Sequence, residues 1–276
     1  MMFSFVIPVF ATEEYLPRCL DSLVAQTDGD FEVVIVDDCS PGDCHAIVAR
    51  YDGRFRYIRQ DRNRSSYQAR ARAISEACGE YVVALDPDDY VLPDLVSELK
   101  ARAMGADIVS YNLEMDMNGV ITPHWCQYAA EDCDLAQVIG MLMTRKMQWN
   151  LCGKAIRREI CRRAMSKSHD SNVYINASDD FAAFFPMMME SERFRFLSYS
   201  GYRYWQNATS TTHSSGSLCK TLRAATQTWR ARRLVLKYLS HVRADVKAEE
   251  CAKFIAHSIV DWLLREYVRK MIGVMR

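Results

Sequence analysis

The sequence predicts an α/β fold, a doubly wound and mostly parallel sheet flanked by helices, followed by a C-terminal helical extension. Two observations carry this. Apolar, β-prone runs alternate with helical patterns through residues 1–100, and repeated β-α-β units with short connections call for a parallel sheet. In addition, FEVVIV at Phe31–Val36 lacks polar alternate positions, as expected of a parallel strand covered on both faces.

Taken in order, Phe3–Val9 reads as a strand. Glu13–Gln26 reads as a helix with Leu16, Cys19, Leu20 and Leu23 at helical spacing and Thr12 as N-cap. Phe31–Val36 is the second strand, ending in the polar turn Asp37-Asp38-Cys39-Ser40-Pro41-Gly42. A short helix at Asp43–Tyr51, a strand at Phe55–Arg59, a helix at Tyr67–Ala77 and a strand at Tyr81–Leu85 follow. Beyond them, Leu95–Arg102 is a helix and Asp107–Leu113 a strand. Asp134–Met143, Lys154–Ala164 and Asp179–Met189 read as helices, the last with Pro186 expected to kink or end it. Arg193–Leu197 and Tyr202–Trp205 read as two short strands, and Gln206–Ser217 as a mobile loop. Two amphipathic helical patterns close the chain, one from Ala231 to Val242 and one from Val260 to Met271.

Composition narrows the function classes. The 276 residues hold 35 basic and 35 acidic side chains, 49% hydrophobic and 25% charged residues, which excludes disordered, collagen-like and low-complexity chains. Apolar runs such as Phe181–Met189 fall far short of the roughly 20 residues that span a bilayer. MMFSFVIPVF has no basic flank and meets Pro8, so it reads as a buried strand and not a signal peptide. The ten cysteines include no CxxC pair and sit singly in helical or strand patterns, which points to reduced thiols and a cytoplasmic location. From Leu218 to Arg276 there are 13 basic against 5 acidic residues, leaving 22 against 30 before it. That asymmetry suggests different partners for the two parts, and no bulk charge points to nucleic acid.

Open parallel sheets bind ligands beyond the carboxyl ends of their strands. Tyr81–Leu95 delivers Asp86, Asp88 and Asp89 to such an exit. Asp-x-Asp there can share one hard divalent cation, and it equally fits a solvated turn with Asp as N-cap. The second strand supplies Asp37-Asp38, and the first brings Phe10, a ring able to stack on a base, before Glu13-Glu14. The stretch from Asp61 to Arg72 opens a helix carrying arginines, a natural place for diphosphate. Acid for metal and ribose, arginine for phosphate and an aromatic for the base together describe a nucleotide-diphosphate site. No Walker A or GxGxxG motif is present.

FSFVIPVFATEEYLPRCLDSLVAQT, FEVVIVDDCSPGD, the helix with ARAR and GEYVVALDPDDYVLPDLV, in this order over about the first 110 residues, resemble the inverting glycosyltransferases of family 2, which have the GT-A fold. The resemblance implies a Rossmann-like mixed sheet and transfer of a sugar from a nucleotide donor, usually a UDP-sugar, to a saccharide or lipid-linked glycan such as bacterial surface polysaccharide. It implies that Pro8, Val9, Phe10 and Glu14 line the nucleoside pocket and that one of Asp37 and Asp38 binds the uracil edge. Arg70 would face the diphosphate, Asp86 and Pro87 would lie near the ribose, and Asp88 with Asp86 would hold Mn²⁺ or Mg²⁺. The chain departs from the family pattern at Arg64-Ser65-Ser66, where a Gly-rich turn is usual, at Ala71 for Asn, at Phe10 for Tyr, and at Cys39 for Gly.

The acceptor hydroxyl must lose a proton as it attacks, so a carboxylate within hydrogen-bond reach is required. The resemblance places it in Asn176-Ala177-Ser178-Asp179-Asp180-Phe181, with Asp179 in the family's Glu position and Asp180 as base. Helix capping alone would explain the same acids. Trp149 is a candidate sugar platform or a core residue. The loop Asn207–Ser217 would close over the donor, and His213 would then reach the metal, although a lone loop histidine is more often solvated. The basic helices of 218–276 fit either a peripheral contact with the inner face of an anionic membrane or a protein interface such as a homodimer. The expected organisation is a donor half at 1–113, an acceptor half at 114–217 and this extension. Two alternatives are a nucleotidyltransferase forming sugar nucleotides, which would carry a Gly-rich basic loop where Phe10–Glu14 stands, and an inert nucleotide- or sugar-binding module.

Overall fold

The first strand, β1 (Phe3–Val9), is buried at all seven positions, because helices cover both of its faces; it is paired in parallel on both edges. The computed structural model describes residues 1–124, 127–206 and 218–241. The chain forms two compact units, Met1–Val235 and Leu236–Arg276, and the first contains the sheet.

The elements of this unit follow one another as β1, α1 (Leu16–Val24), β2 (Phe31–Asp37), α2 (Cys44–Val48), β3 (Phe55–Arg59), α3 (Ser66–Glu76), β4 (Tyr81–Ala84), β5 (Tyr90–Val91) and α4 (Leu95–Arg102). Then come β6 (Ile108–Met117), β7 (Val120–Pro123), β8 (Glu131–Cys133), α5 (Leu135–Met143), β9 (Lys154–Arg157), α6 (Arg158–Ser168), α7 (Asp179–Met189) and β10 (Phe194–Trp205). The helix α8 (Leu218–His241) begins in this unit. Spatially the strands run β3-β2-β1-β4-β9-β6-β10-β5, with β7 on β6 and β8 on β10. The pairs β1·β2, β1·β4, β2·β3 and β6·β10 are parallel. β9 runs against both its neighbours, β4 and β6, and β5 runs against β10. All other strands on the path share one direction, so the sheet is mixed and mostly parallel, as expected.

Alternation along the strands divides the core. Phe3, Phe5, Ile7, Val33, Ile35, Tyr81 and Val83 pack with α1, α2 and α4, each such side chain worth about 1.5–3 kcal/mol of burial. Val6, Val82 and Ala84 face the opposite way, toward Arg70 and Ile74 of α3, Cys161 of α6 and Met187 of α7.

Several expectations need correction. Lys154–Ala164 is not one helix: Lys154–Arg157 is β9, preceded by Gly153 at φ +73, and the helix starts at Arg158. Burial of Lys154, Ala155 and Ile156 in the middle of the sheet outweighs their helical spacing. Pro186 does not end α7 early; the helix continues to Met189, and Glu190 N–H closes on the Pro186 carbonyl at 3.1 Å. The single bond that proline removes falls near the helix end, where it costs least. The two strands expected at Arg193–Leu197 and Tyr202–Trp205 are one bulged strand, with register shifts on either side of Ser200. The first helix starts at Leu16, not Glu13, and Tyr15 rather than Thr12 is its N-cap, since Pro17 fits a first helical turn. Residues 207–217, including His213, and 242–276, including the Val260–Met271 pattern, lie outside the described residues. Among the described residues no helix is long and apolar enough to cross a membrane.

Candidate active site

The carboxyl ends of β1, β2 and β4, neighbours paired in parallel, lie side by side along one edge of the sheet. At the first, Pro8 and Val9 are buried, Phe10 is 48% exposed and Glu14 is exposed. Ala11 adopts φ +52 and donates its N–H to Ser40 Oγ at 3.1 Å, while Asp38 N–H donates to the Val9 carbonyl at 2.8 Å. The backbone on either side of Phe10 is thus tied, and its ring is exposed.

Both acids at the β2 exit are held by the protein. Asp37 is fully buried and accepts from Ser40 N–H (2.7 Å), Tyr57 OH (2.5 Å) and Arg59 Nη1 (2.6 Å). Asp38 accepts from Gln60 Nε2 (2.9 Å), Arg64 N–H (2.6 Å) and Ser65 N–H (2.8 Å). A carboxylate offers about four acceptor positions, so each keeps one. Burial raises the Asp38 carboxyl above its usual range against these donors, and Asp37 adds repulsion. Asp38 also shapes the turn before α3, where Ser65 takes φ +96 and ψ 158 with its buried Oγ lacking a partner among the described residues. Glycine alone adopts that backbone region readily.

Just beyond β4, the four residues Asp86–Asp89 have distinct environments. Asp89 is buried and accepts from Tyr202 OH at 2.5 Å and Trp205 N–H at 2.9 Å. Burial and the charges of Asp86 and Asp88 push its carboxyl well above the ordinary value. Pro87 is buried. Asp88 is half-buried, with its carbonyl fixed by Arg18 Nη2 at 2.6 Å. No side chain among the described residues hydrogen-bonds its carboxylate, which burial and then Asp86 push up to about 6. Asp86 accepts from Arg70 Nη2 at 2.9 Å and from the Cys152 thiol at 3.1 Å. Ligand atoms of Asp86, Asp89 and Cys152 lie within 4.8 Å of one another.

A hard divalent cation fits this corner through its oxygens. No other residue's side chain hydrogen-bonds the Asp88 carboxylate among the described residues, Asp86 and Asp89 bring ligand oxygens close together, and crowded acids favour a cation that keeps them ionised. Cys152 is an unsuitable ligand for it, because burial and then Asp86 hold the thiol protonated far above its usual range.

Arg70, 5% exposed, joins this corner to α7. Besides Asp86, its Nη1 donates to Asp179 Oδ2 at 2.8 Å and to Asp180 Oδ1 at 2.9 Å. Asp179 also accepts from Ser66 Oγ at 2.9 Å, and Asn176 Oδ1 accepts Ser66 N–H at 2.7 Å, so the segment leading into α7 satisfies the first N–H of α3. Asp180 keeps 32% of its side chain exposed. Burial pushes its carboxyl up to about 7; Asp179 and Asp86 add to the rise, and Arg70 and Lys154 oppose it. Its Oδ2 has no hydrogen-bond partner among the described residues. Trp149 is half-buried and meets Phe181 edge-on at 4.9 Å, and Phe185 at 6.3 Å, along α7.

Thus Arg70 brings Asp86 together with Asp179 and Asp180, and Asp38 is tied to the turn before α3, whereas Phe10, Glu14 and Asp37 make no hydrogen bond to the acids after β4 among the described residues. Sequence reasoning overlooked Arg18, Cys152 and Tyr202, and no spacing marks them, since they arrive from α1, the segment before β9 and β10. Arg18 lies over the Trp205 ring at 3.8 Å, which fixes the floor beneath Asp88.

A family model described as glycosyl transferase family 2 matches residues 4–190. The succinoglycan biosynthesis protein ExoO of Rhizobium meliloti (strain 1021) is 38% identical over 115 residues, 41% of this chain and 33% of that protein. The uncharacterized glycosyltransferase EpsJ of Bacillus subtilis (strain 168) is 27% identical over 222 residues, 76% of this chain and 62% of that protein. The chain therefore spans only a third to three fifths of the length of these relatives. Among solved structures, residues 1–349 of S. aureus TarS in complex with UDP superpose with a TM-score of 0.71 at 19% identity, covering 93% of this chain and 70% of that one. That likeness is one of fold, the GT-A arrangement.

Proposed function

The chain belongs to glycosyl transferase family 2, and on that premise we propose that it transfers a sugar from a nucleotide-diphosphate donor to a saccharide or lipid-linked glycan, with inversion. UDP is the favoured nucleotide, supported by the UDP complex of a protein that shares this fold. The observation that carries the reading is the bridge through Arg70, with Asp86 on one amino nitrogen and Asp179 and Asp180 on the other. It ties the exit expected to meet the donor to the carboxylate expected to meet the acceptor.

In this reading Pro8, Val9, Phe10 and Glu14 line the nucleoside pocket, and the remaining acceptor position of Asp37 or Asp38 meets the uracil edge. Asp86 and Pro87 border the ribose. Asp88, with Asp86, would hold Mn²⁺ or Mg²⁺, which when bound neutralises charge on the diphosphate oxygens. Arg70 orients Asp86 and Asp180 and offsets part of the negative charge on the diphosphate side. The acceptor oxygen attacks the anomeric carbon, the bond to the diphosphate oxygen breaks with its electron pair, and the hydroxyl proton passes to Asp180 Oδ2. A carboxyl at about 7 is poised for such a transfer near neutral pH. One displacement inverts the anomeric centre. Residues 1–113 serve the donor, 114–217 the acceptor, and 218–276 meet a membrane surface or a second copy.

The test pairs binding with chemistry. UDP with Mn²⁺ should raise the melting temperature more than either alone, whereas a response confined to nucleoside triphosphates would favour a nucleotidyltransferase. A screen of UDP-, GDP- and dTDP-sugars for slow hydrolysis identifies the donor. Undiminished sugar release in Asp180→Asn would remove the base from this account.

A further inference from the structure

The helix bearing Asp180 starts in an unusual way. Its N-cap, Ser178, has left-handed backbone (φ +65, ψ +21) and makes no side-chain cap hydrogen bond. An N-cap serine ordinarily takes extended backbone and turns its hydroxyl onto the free N–H groups of the first turn. Here the hydroxyl is engaged elsewhere, 3.0 Å from Thr228 Oγ1 on α8. One residue earlier along α8, Gln227 Oε1 accepts the N–H groups of both Asn176 and Ala177, each at 2.8 Å. Ala231 and Leu234 of α8 pack with Tyr67, Ile175 and Ala182, which anchors the helix over this turn. All these residues lie in the unit Met1–Val235.

We propose that Gln227 and Thr228 are positioning residues for the general base. They hold the turn 176–178 in its left-handed, uncapped form, and that form sets the direction in which Asp180 leaves the helix start. The proposal rests on the reading of Asp180 as base. The physical reason is a competition between two helix starts. Without the Gln227 carbonyl, two backbone N–H groups lose their acceptor, and without the Thr228 hydroxyl, Ser178 is free to cap its own helix. A left-handed serine relaxing to extended backbone rotates the first helical turn, and Asp180 sits in the second position of that turn. Neither residue lies in the parts of the chain where the strand-exit acids are found, so donor binding does not depend on them directly.

The experiment compares Gln227→Leu, Thr228→Val and Thr228→Ser with the wild type, measuring kcat and donor KM for the sugar nucleotide that the wild type hydrolyses in the screen above. Melting temperature serves as the folding control. Gln227→Leu and Thr228→Val are expected to lower kcat by about 10- to 100-fold, the scale of an ångström-sized misplacement, with donor KM within about twofold of wild type. Thr228→Ser, which keeps the hydroxyl, should restore most of kcat. Should Gln227→Leu fail to fold, Thr228→Val, which exchanges one hydroxyl for a methyl group, carries the test. Unchanged kcat in both variants, kcat and KM changing together, or Thr228→Ser as impaired as Thr228→Val would each overturn the proposal. Asp180→Asn separates the two readings: if it is inactive while Gln227→Leu and Thr228→Val are normal, only the positioning role falls. If Asp180→Asn still transfers sugar, the base and its positioning fall together.

Discussion

Arg70 Nη2 donates to Asp86 Oδ1 at 2.9 Å, which fastens the middle of α3 to the turn after β4. The same guanidinium neutralises Asp179 and Asp180, so three acids share one buried cation. Replacing Arg70 with Met strips all three of their partner, and removal of one member of a buried ion pair costs about 3–5 kcal/mol. The melting temperature of Arg70→Met should fall by roughly 10 °C, as differential scanning calorimetry would show, and Arg70→Lys should recover only part of the loss because ammonium cannot reproduce the planar fork.

The acidity of Asp180 ties stability to pH. Its folded-state carboxyl sits at about 7, above an unfolded value of about 4. Such a group adds stability below the unfolded pKa and loses it as pH rises through the folded one. Asp88, at about 6, acts in the same direction. The protein should therefore lose stability between pH 4 and pH 7, approximately, and Asp180→Asn should lessen that loss and melt a few degrees above wild type at pH 8. Activity moves the opposite way, since a base must be ionised: kcat should decline as pH falls below about 7.

The neighbouring acids Asp88 and Asp89 divide by role. Asp88→Asn should abolish the extra melting-temperature rise that Mn²⁺ gives with UDP while leaving the unliganded protein within about 1 kcal/mol of wild type, as expected for a half-buried group. Asp89→Ala should instead weaken the fold by roughly 2–4 kcal/mol, because Tyr202 OH and Trp205 N–H lose their acceptor in a buried site.

Ser65 stands in backbone that suits glycine, with φ +96 and a buried hydroxyl lacking a partner among the described residues. Ser65→Gly should stabilise the protein by about 1 kcal/mol, a relief of strain of order 1–3 kcal/mol offset by glycine's greater freedom when unfolded. A chemical denaturation midpoint that stays put or falls would contradict this.

How much of this could be read from residues alone varies with range. Phe31–Val36 and Leu95–Arg102 were legible because burial on both faces or a clear helical stripe leaves one structure open to them. The acids after β2 and β4 were legible as exits of parallel strands. What they touch was not, since Tyr57, Arg59, Tyr202 and Cys152 come from distant segments. β9 escaped because four residues carry little periodicity and the helical pattern after them runs straight on. β8, three residues pairing at the rim with β10, has no signal of its own. The bond of Ser178 to Thr228 joins residues fifty apart, and local reading assigns that serine to an ordinary cap.

The reversed strand β9 has a consequence for synthesis. The runs β3-β2-β1-β4 and β6-β10-β5 are joined only through Lys154–Arg157 on the strand path. While a ribosome is making the chain, the first four strands emerge with one flank of β4 bare until those residues follow. A polypeptide stopped short of Lys154 keeps that open flank, which invites strand addition from another molecule. Truncation to the amino-terminal portion should therefore yield aggregates in place of a miniature of the whole.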